Sequence, residues 1–486
     1  MEWSVLAIEI GLVVGALLIL GLGLFWPKHQ TRAWAWIGMG LLVFVPIVAL
    51  VNGWFDPYST KVFQGLTADS LSFLFKCAFL IAGLMVVLTA MNEISLHSPW
   101  LISLLLIAIA SMCFSSMASD LILALVSAEL VAICMSVFPA ALANKKTHFE
   151  ATAKYLLSNG LATVVSIIGL AITMAFVHSP AFTDIKATLE SPFKENSYLF
   201  VGLLLFCSAM MFKLAIVPFQ LWAADVYQGY PLPALLLLAT GSKLVGVILI
   251  TRLLLCTLPY APTEVFTLLS AIVILSLAYG TLCAIPQNNY KRLLGYSSIA
   301  NSGFIFASIL LLVSPSTTTS NLLGITIYYC IAYMLSVAAA VLASESAWQY
   351  YPPEPNNPQE KKDYFIITTA AFGLISLAGI PPTAGFFAKF LVLKELFLAA
   401  KTSYSFLTLF CAALICGVVG TYYYLRALGS IITPIKSNSL TIKVHHPATK
   451  LFILLLCLSI VGFGTLHGPV LEKITTLLTP YPKVSP

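Results

Sequence analysis

Charge is what this chain is short of. Only 9% of its 486 residues are Asp, Glu, Lys or Arg and 59% are hydrophobic, whereas a water-soluble domain carries roughly a quarter charged residues. That shortage excludes a soluble globule. The acids and the seven histidines are too scattered to build the carboxylate or imidazole cluster that a metal or solute site needs. His29, His97, His148, His178, His445, His446 and His467 fall in loops or at span ends, which excludes a bis-His haem within a membrane. The ten cysteines sit singly in apolar stretches, and the closest pair, Cys411 and Cys416, fits neither CxxC nor an iron–sulfur spacing; they read as small core hydrophobes. The net charge of +6 is dispersed along short loops and span interiors, so no patch exists for nucleic acid. The longest loops, around 344–363 and 429–449, hold only scattered charges, which argues against a membrane enzyme with a loop-borne active site. The opening MEWSVLAIEIGL lacks a basic stretch and a small-residue cleavage site, so it is expected to remain as a span rather than a removable leader.

What is present is one long apolar run after another. Crossing about 30 Å of hydrocarbon takes about 20 helical residues. Apolar runs between polar breaks place about fourteen spans near 4–26, 32–52, 69–92, 99–117, 119–143, 150–177, 197–229, 231–254, 262–284, 295–314, 320–343, 364–400, 405–428 and 449–468. The fold class is all-α and polytopic. The seventh and twelfth runs would be roughly 50 and 55 Å long as unbroken helices. Each carries a helix breaker: Pro218 in the seventh, Pro381 and Pro382 in the twelfth. Paired interrupted spans are the mark of an inverted-repeat transporter. The expected division is 1–98 (spans one to three), 99–254 (a five-helix repeat, spans four to eight), 262–428 (its inverted copy, spans nine to thirteen) and 429–486 (span fourteen and tail). Twelve cations, among them Lys28, Lys145, Lys291, Arg292, Lys361 and Arg426, fall on one set of loops. Seven, among them Lys61, Lys194 and Arg252, fall on the other. This bias predicts both termini on the outer side of the membrane.

Against that background the intramembrane charges stand out, since each Lys at the bilayer centre costs about 2.5–3.5 kcal/mol on insertion scales. Glu129 lies well inside span five. Lys213 and Lys243 lie near the middles of spans seven and eight, which run antiparallel across QGYP, and Lys389 follows the GIPPTAGFF break. None is close enough to a span end to snorkel. Lys154 is about one turn inside span six, where an amphipathic start and a functional role both remain open. Lys76, Glu9 and Lys394 read as residues reaching the interface, with Glu395 a local partner of Lys394, and Asp225 reads as capping or orienting the second half of span seven. Desolvation disfavours the charged form of a buried amine, so a row of such lysines, with Glu129 as counter-charge, is suited to passing protons.

The stretches SDLILALVSAEL, EATAKYLL, FKLAIVPFQLWAADVYQGYP, ATGSK, NNYKRLLGYSSIANSGF and GIPPTAGFFAKF together resemble the antiporter-like subunit family of the proton-pumping NADH-quinone oxidoreductase, respiratory complex I. VPFxxWxxDVYQGxP is the most specific of them and follows the pattern of the family's subunit N branch. The resemblance implies a membrane subunit that couples electron transfer from NADH to quinone, performed by partners, to proton translocation. It implies Glu129 and Lys213 as the input-side pair, Lys243 as the continuation, Lys389 as the exit-side site, and Lys154 as a further family lysine. It also implies no cofactor in this chain, with flavin and iron–sulfur clusters in partner subunits. The partners would include other antiporter-like subunits, and the location would be a bacterial inner membrane with periplasmic termini. Gln220 and Asn301 depart from the family pattern, which usually has His at both places; the relay is then expected to lean on ordered water beside these two polar bridges. The alternative is a subunit of a multisubunit cation/proton antiporter or membrane-bound hydrogenase. A stand-alone solute transporter of similar architecture would need a substrate pocket for which the chain offers lysines and little else.

Overall fold

The computed structural model describes residues 2–25, 31–53, 61–63, 65–90, 98–142, 146–190, 197–314, 317–342, 364–401, 403–432 and 447–479. With no water in hydrocarbon to satisfy backbone groups, spanning segments must pair their own, and helices do so. The chain begins α1 (Ala7–Phe25), α2 (Thr31–Val51), a short antiparallel hairpin β1 (Lys61–Phe63) and β2 (Leu66–Ala68), then α3 (Ser70–Ala90), α4 (Pro99–Ser116) and α5 (Leu121–Ala141). It continues with α6 (Lys146–Val177), α7 (Phe182–Glu190), α8 (Ser197–Phe206), α9 (Ser208–Leu214), α10 (Leu221–Gly229), α11 (Leu232–Leu237) and α12 (Lys243–Thr257). The remainder is α13 (Thr263–Ala284), α14 (Tyr290–Leu310), α15 (Thr319–Leu342), α16 (Tyr364–Ala378), α17 (Ala384–Ala399), α18 (Tyr404–Ile432), α19 (Pro447–Thr465) and α20 (His467–Leu477).

Each of the fourteen expected spans falls on helix. Among the described residues twelve segments are long and apolar enough to cross a membrane, and a thirteenth arises if α19 and α20, bent by 84° to one another, count together. The expected twelfth span is built from two short helices, α16 and α17, as its prolines require. Three features escape an apolar-run reading: the hairpin, the amphipathic α7, and the kink before α20. Short polar or mixed segments carry no hydrophobic run to betray them.

The segment Leu232–Tyr260 lies at the centre of the bundle, wrapped on all sides, and α14 and α15 are nearly as enclosed, whereas α6 and α18 are peripheral. Packing on the two sides follows one plan. α4 lies on α5 as α13 lies on α14; α6 holds α8 and α9 as α15 holds α16 and α17; and α9 packs on α12 as α17 packs on α18. Helix α10 leaves its own side and packs on both α6 and α14.

Several charges assigned to loops prove structural. Arg252 is buried within Leu232–Tyr260, where it forks onto Asp69 at 2.7 and 3.0 Å and donates to the Ser116 carbonyl at 2.8 Å, so it is not a loop cation. Arg426 sits inside α18, which runs on to Ile432, and donates to the Gln287 carbonyl at 2.7 Å. Lys76 and Glu9 do not reach an interface. They are 3% and 5% exposed and form an ion pair at 2.9 Å between α3 and α1. Lys394 and Glu395 are neighbours at 3.5 Å as expected, the carboxylate being the buried member. Lys28, Lys145, Lys194, Lys361, Lys362, Lys436, Lys443 and Lys483, on which the orientation argument leaned, lie outside the described residues, as do 344–363 and much of 429–449.

Candidate functional site: a lysine row between two broken helices

The first break lies between α9 and α10. Ala215 takes the left-handed conformation (φ 56°), the Val217–Pro218 peptide is cis, and α10 resumes at Leu221. Pro218 has no N–H for the carbonyl of Leu214; that carbonyl instead accepts from Ser302 Oγ of α14 at 2.6 Å. The Phe212 carbonyl accepts from the Trp222 indole at 3.2 Å, so the second half-helix is tied back to the first. The second break, between α16 and α17, turns through Gly379 (φ 82°) and a cis Pro381–Pro382 peptide. Here the carbonyls stranded by the two prolines belong to Leu377 and Ala378, and Lys389 Nζ donates to them at 2.6 and 3.5 Å. The prolines themselves, Pro218, Pro381 and Pro382, are exposed on the isolated chain, and it is the freed carbonyls that face inward partners.

Lys213, in the last turn of α9, is 3% exposed, and its amine has no hydrogen-bond partner among the described residues. Gly246 of α12 makes room for it: a Cβ there would stand 3.1 Å from that of Lys213. The expected direct pair with Glu129 is not formed. Asn159 Nδ2 and Thr163 Oγ1, one turn apart on α6, take the two carboxylate oxygens of Glu129 at 2.8 and 2.7 Å. Gln220, buried beside the first break, has an unpartnered side-chain carbonyl.

Lys243 opens α12 directly after a π-helical turn, Leu238–Ser242, a local widening that sequence reading missed. It is 3% exposed and held by α14 and α15: its amine donates to the Ser298 carbonyl and Ser302 Oγ, both at 2.8 Å, to Ser298 Oγ, and to the Tyr333 hydroxyl at 3.4 Å. Ser302 therefore joins Lys243 to the carbonyl freed by Pro218. The signal that could have found these partners is the YSSIANS run of α14, where Ser298 and Ser302 share one helical face and Ser297 and Asn301 the next. On that second face Asn301 donates to the Tyr424 hydroxyl at 3.0 Å and to the Ser297 carbonyl at 2.9 Å, accepts from the Tyr329 hydroxyl at 3.0 Å, and Ser297 Oγ meets the Tyr424 hydroxyl at 2.7 Å. The Lys389 amine stands over the rings of Phe304 and Tyr424, 5.6 and 5.7 Å from their centroids.

Lys154 is different in kind. Its side chain is 45% exposed and bridges Glu150 and Asp225, each at 2.8 Å, while Asp225 also accepts from Arg292 at 2.6 Å. Asp225 thus orients α10 by tying it to α6 and α14. It does not cap it, since the residue preceding that helix is Gln220, which makes no capping bond.

Lys213 ends the half-helix before the first break, Lys243 reaches the carbonyl freed there through Ser302, and Lys389 binds the carbonyls freed at the second. A family model described as NADH:quinone oxidoreductase/Mrp antiporter, TM, matches residues 118–416, which takes in both breaks and all of these lysines. The chain belongs to that family. Among relatives, the NADH-quinone oxidoreductase subunit N of Acinetobacter baumannii (strain AB0057) is 34% identical over 286 residues, 57% of this chain and 55% of that protein. NADH-quinone oxidoreductase subunit N 1 of Roseiflexus castenholzii (strain DSM 13941 / HLO8) is 31% identical over 352 residues, 66% and 64% respectively. The match thus spans between about half and two thirds of the length of these curated relatives. Likeness of fold to solved structures extends over nearly the whole chain. A chain of respiratory complex I from Thermus thermophilus with bound aureothin superposes with a TM-score of 0.76 at 24% identity, covering 96% of this chain and 98% of that one. A chain of the Mrp complex from Dietzia sp. DQ12-45-1b gives 0.80 at 16% identity, covering 98% and 96%.

Proposed function

We propose that this membrane protein is the subunit N-type component of a proton-translocating NADH-quinone oxidoreductase, moving protons while partner subunits carry electrons from NADH to quinone. The observation that carries the reading is the row Lys213, Lys243 and Lys389 between two interrupted helices. A buried amine is costly to charge, and here Lys389 binds carbonyls freed by proline while Lys243 reaches another through Ser302. The matching family takes in both readings; identity of 34% and 31% to proteins named subunit N favours this one over the cation/proton exchanger, for which the solved Mrp chain, at 16% identity, adds a likeness of fold. Glu129 supplies counter-charge at the Lys213 end, Lys243 continues the path and Lys389 is the exit-side site. Gln220 and Asn301 stand beside the path as polar groups that do not titrate, and Lys154 serves by anchoring α10 through Asp225. The two sides with matching packing act as inverted five-helix repeats, 99–254 and 262–428. The chain works without its own cofactor in a bacterial inner membrane, termini outward, against other antiporter-like subunits and subunits holding flavin and iron–sulfur clusters.

Lys213→Ala tests this. In the intact complex reconstituted into liposomes, proton pumping is expected to be lost and coupled quinone reduction slowed, with assembly unchanged. Normal pumping would falsify the role of Lys213, and a chain that co-purifies without flavoprotein partners and transports sodium would favour the exchanger instead.

A further inference from the structure

Between Lys243 and Lys389 the groups that the structure brings into contact are hydroxyls and one amide, without imidazole. The Lys243 side ends in Ser298, whose hydroxyl meets those of Tyr227 at 2.8 Å and Tyr333 at 3.3 Å. The Lys389 side ends in Tyr424, Ser297, Asn301 and Tyr329. An amide passes a proton only through its unfavourable imidic-acid tautomer, so Asn301 is a poor carrier. Its bonds are instead those of a clamp: its carbonyl commits the proton of Tyr329, and its NH2 donates to the oxygen of Tyr424. The Tyr424 hydroxyl also meets Ser297 Oγ at 2.7 Å and the hydroxyl of the adjacent Tyr423, and the Lys389 amine lies 5.7 Å from the centroid of its ring.

We propose that Tyr424 is the proton carrier between Lys243 and Lys389, and that Asn301 is a positioning residue that orients Tyr424 by holding Tyr329 and Tyr424 together. In the transfer a proton arrives on the Tyr424 oxygen from Ser297 as the phenolic O–H bond breaks and that proton leaves for Lys389. The phenol is regenerated and Ser297 regains a proton from the Lys243 side, so the positive charge moves from Lys243, left as a neutral amine, to Lys389, which becomes an ammonium; no oxidant or metal takes part. Two steps, Ser298 to Ser297 and Tyr424 to Lys389, have no direct hydrogen bond, and the transfer requires a bridging water at each. Tyr329 is the weaker carrier, because its proton is committed to Asn301 and its ring stacks on Phe304, 6.1 Å centroid to centroid.

This inference rests on the function proposed above and deepens it. The test compares protons pumped per NADH oxidised in liposomes holding the intact complex with Tyr424→Phe, Ser297→Ala, Asn301→His/Tyr424→Phe or, as a control on the broader reading, Lys243→Ala. The expected result is loss of this chain's contribution to the ratio for Tyr424→Phe, a fall for Ser297→Ala, and recovery in the double variant, where an imidazole restores a titratable bridge. If Lys243→Ala removes this chain's contribution while Tyr424→Phe keeps the wild-type ratio, the carrier role is overturned and the broader reading stands. Loss in Tyr424→Phe without recovery in the double variant assigns the phenol a packing role and also overturns the proposal. Should Tyr424→Phe not assemble, Ser297→Ala decides by the same ratio. Normal pumping in Lys243→Ala sinks the broader reading itself.

Discussion

A single charge amid apolar residues is the loudest signal a membrane sequence contains, because its cost must be met by partners or by function. Lys213, Lys243 and Lys389 were legible on that ground, and the structure places the first two deep in the bundle and the third against an opened helix end. The same reasoning misjudged Lys76. Seven residues past Asp69 it looked able to reach the interface, but its partner Glu9 lies on another helix, and an ion pair between distant segments has no local mark. Removing one member of a buried pair leaves the other uncompensated, at about 3–5 kcal/mol. Lys76→Met is therefore expected to lower thermal stability by an amount of that order while pumping per electron is retained; Glu9→Gln/Lys76→Met should recover much of the stability. Thermal unfolding in detergent alongside the pumping ratio checks this, and loss of pumping in the stabilised double variant would place the pair in the proton path. Neutral partners were illegible for a different reason: Ser298, Ser302 and Tyr333 are ordinary residues in a membrane helix, and only their placement around one amine gives them meaning.

At the scale of elements, proline position foretold both interruptions, since a missing N–H strands a carbonyl wherever it falls. What captures that carbonyl was not foretold: a serine from α14 at the first break, the lysine itself at the second. Glycine sets how tightly the second break closes. A Cβ on Gly385 would stand 1.9 Å from the Ser376 carbonyl oxygen, and one on Gly464 2.0 Å from that of Pro382. Both neighbours are backbone, so neither can swing aside. Gly385→Ala is expected to push α17 from α16, withdraw Lys389 from the Leu377 carbonyl and abolish pumping; full pumping by a normally assembled Gly385→Ala complex would show that this closure is dispensable. The first break is braced from outside by Asp225, bound to Lys154 and Arg292. Those pairs are partly exposed and worth at most about 1 kcal/mol each, so Asp225→Asn should leave the complex assembled and slow coupled turnover only modestly, as a rate assay would reveal.

Across the whole molecule, the all-α polytopic plan was legible in hydropathy, though twelve or thirteen described segments rather than fourteen are long and apolar enough to cross, and the family was legible in stretches that lie within the matched residues 118–416. The kink between α19 and α20 and the hairpin were not, being short and mixed in character. The matching packing of α6 on α8 and α9 and of α15 on α16 and α17 gives the bundle two interrupted helices. Lys213 ends the first half of one, Lys389 lies in the second half of the other, and Lys243 stands on the central segment. The central claim is that these amines transfer protons rather than merely pack. The most direct measurement is the number of protons released per NADH oxidised by liposomes containing the intact complex with Lys243→Ala, in which the hydroxyl partners remain and only the amine is gone. Loss of this chain's contribution to that ratio, with electron transfer still measurable and assembly intact, is the expected result; an unchanged ratio would contradict the account.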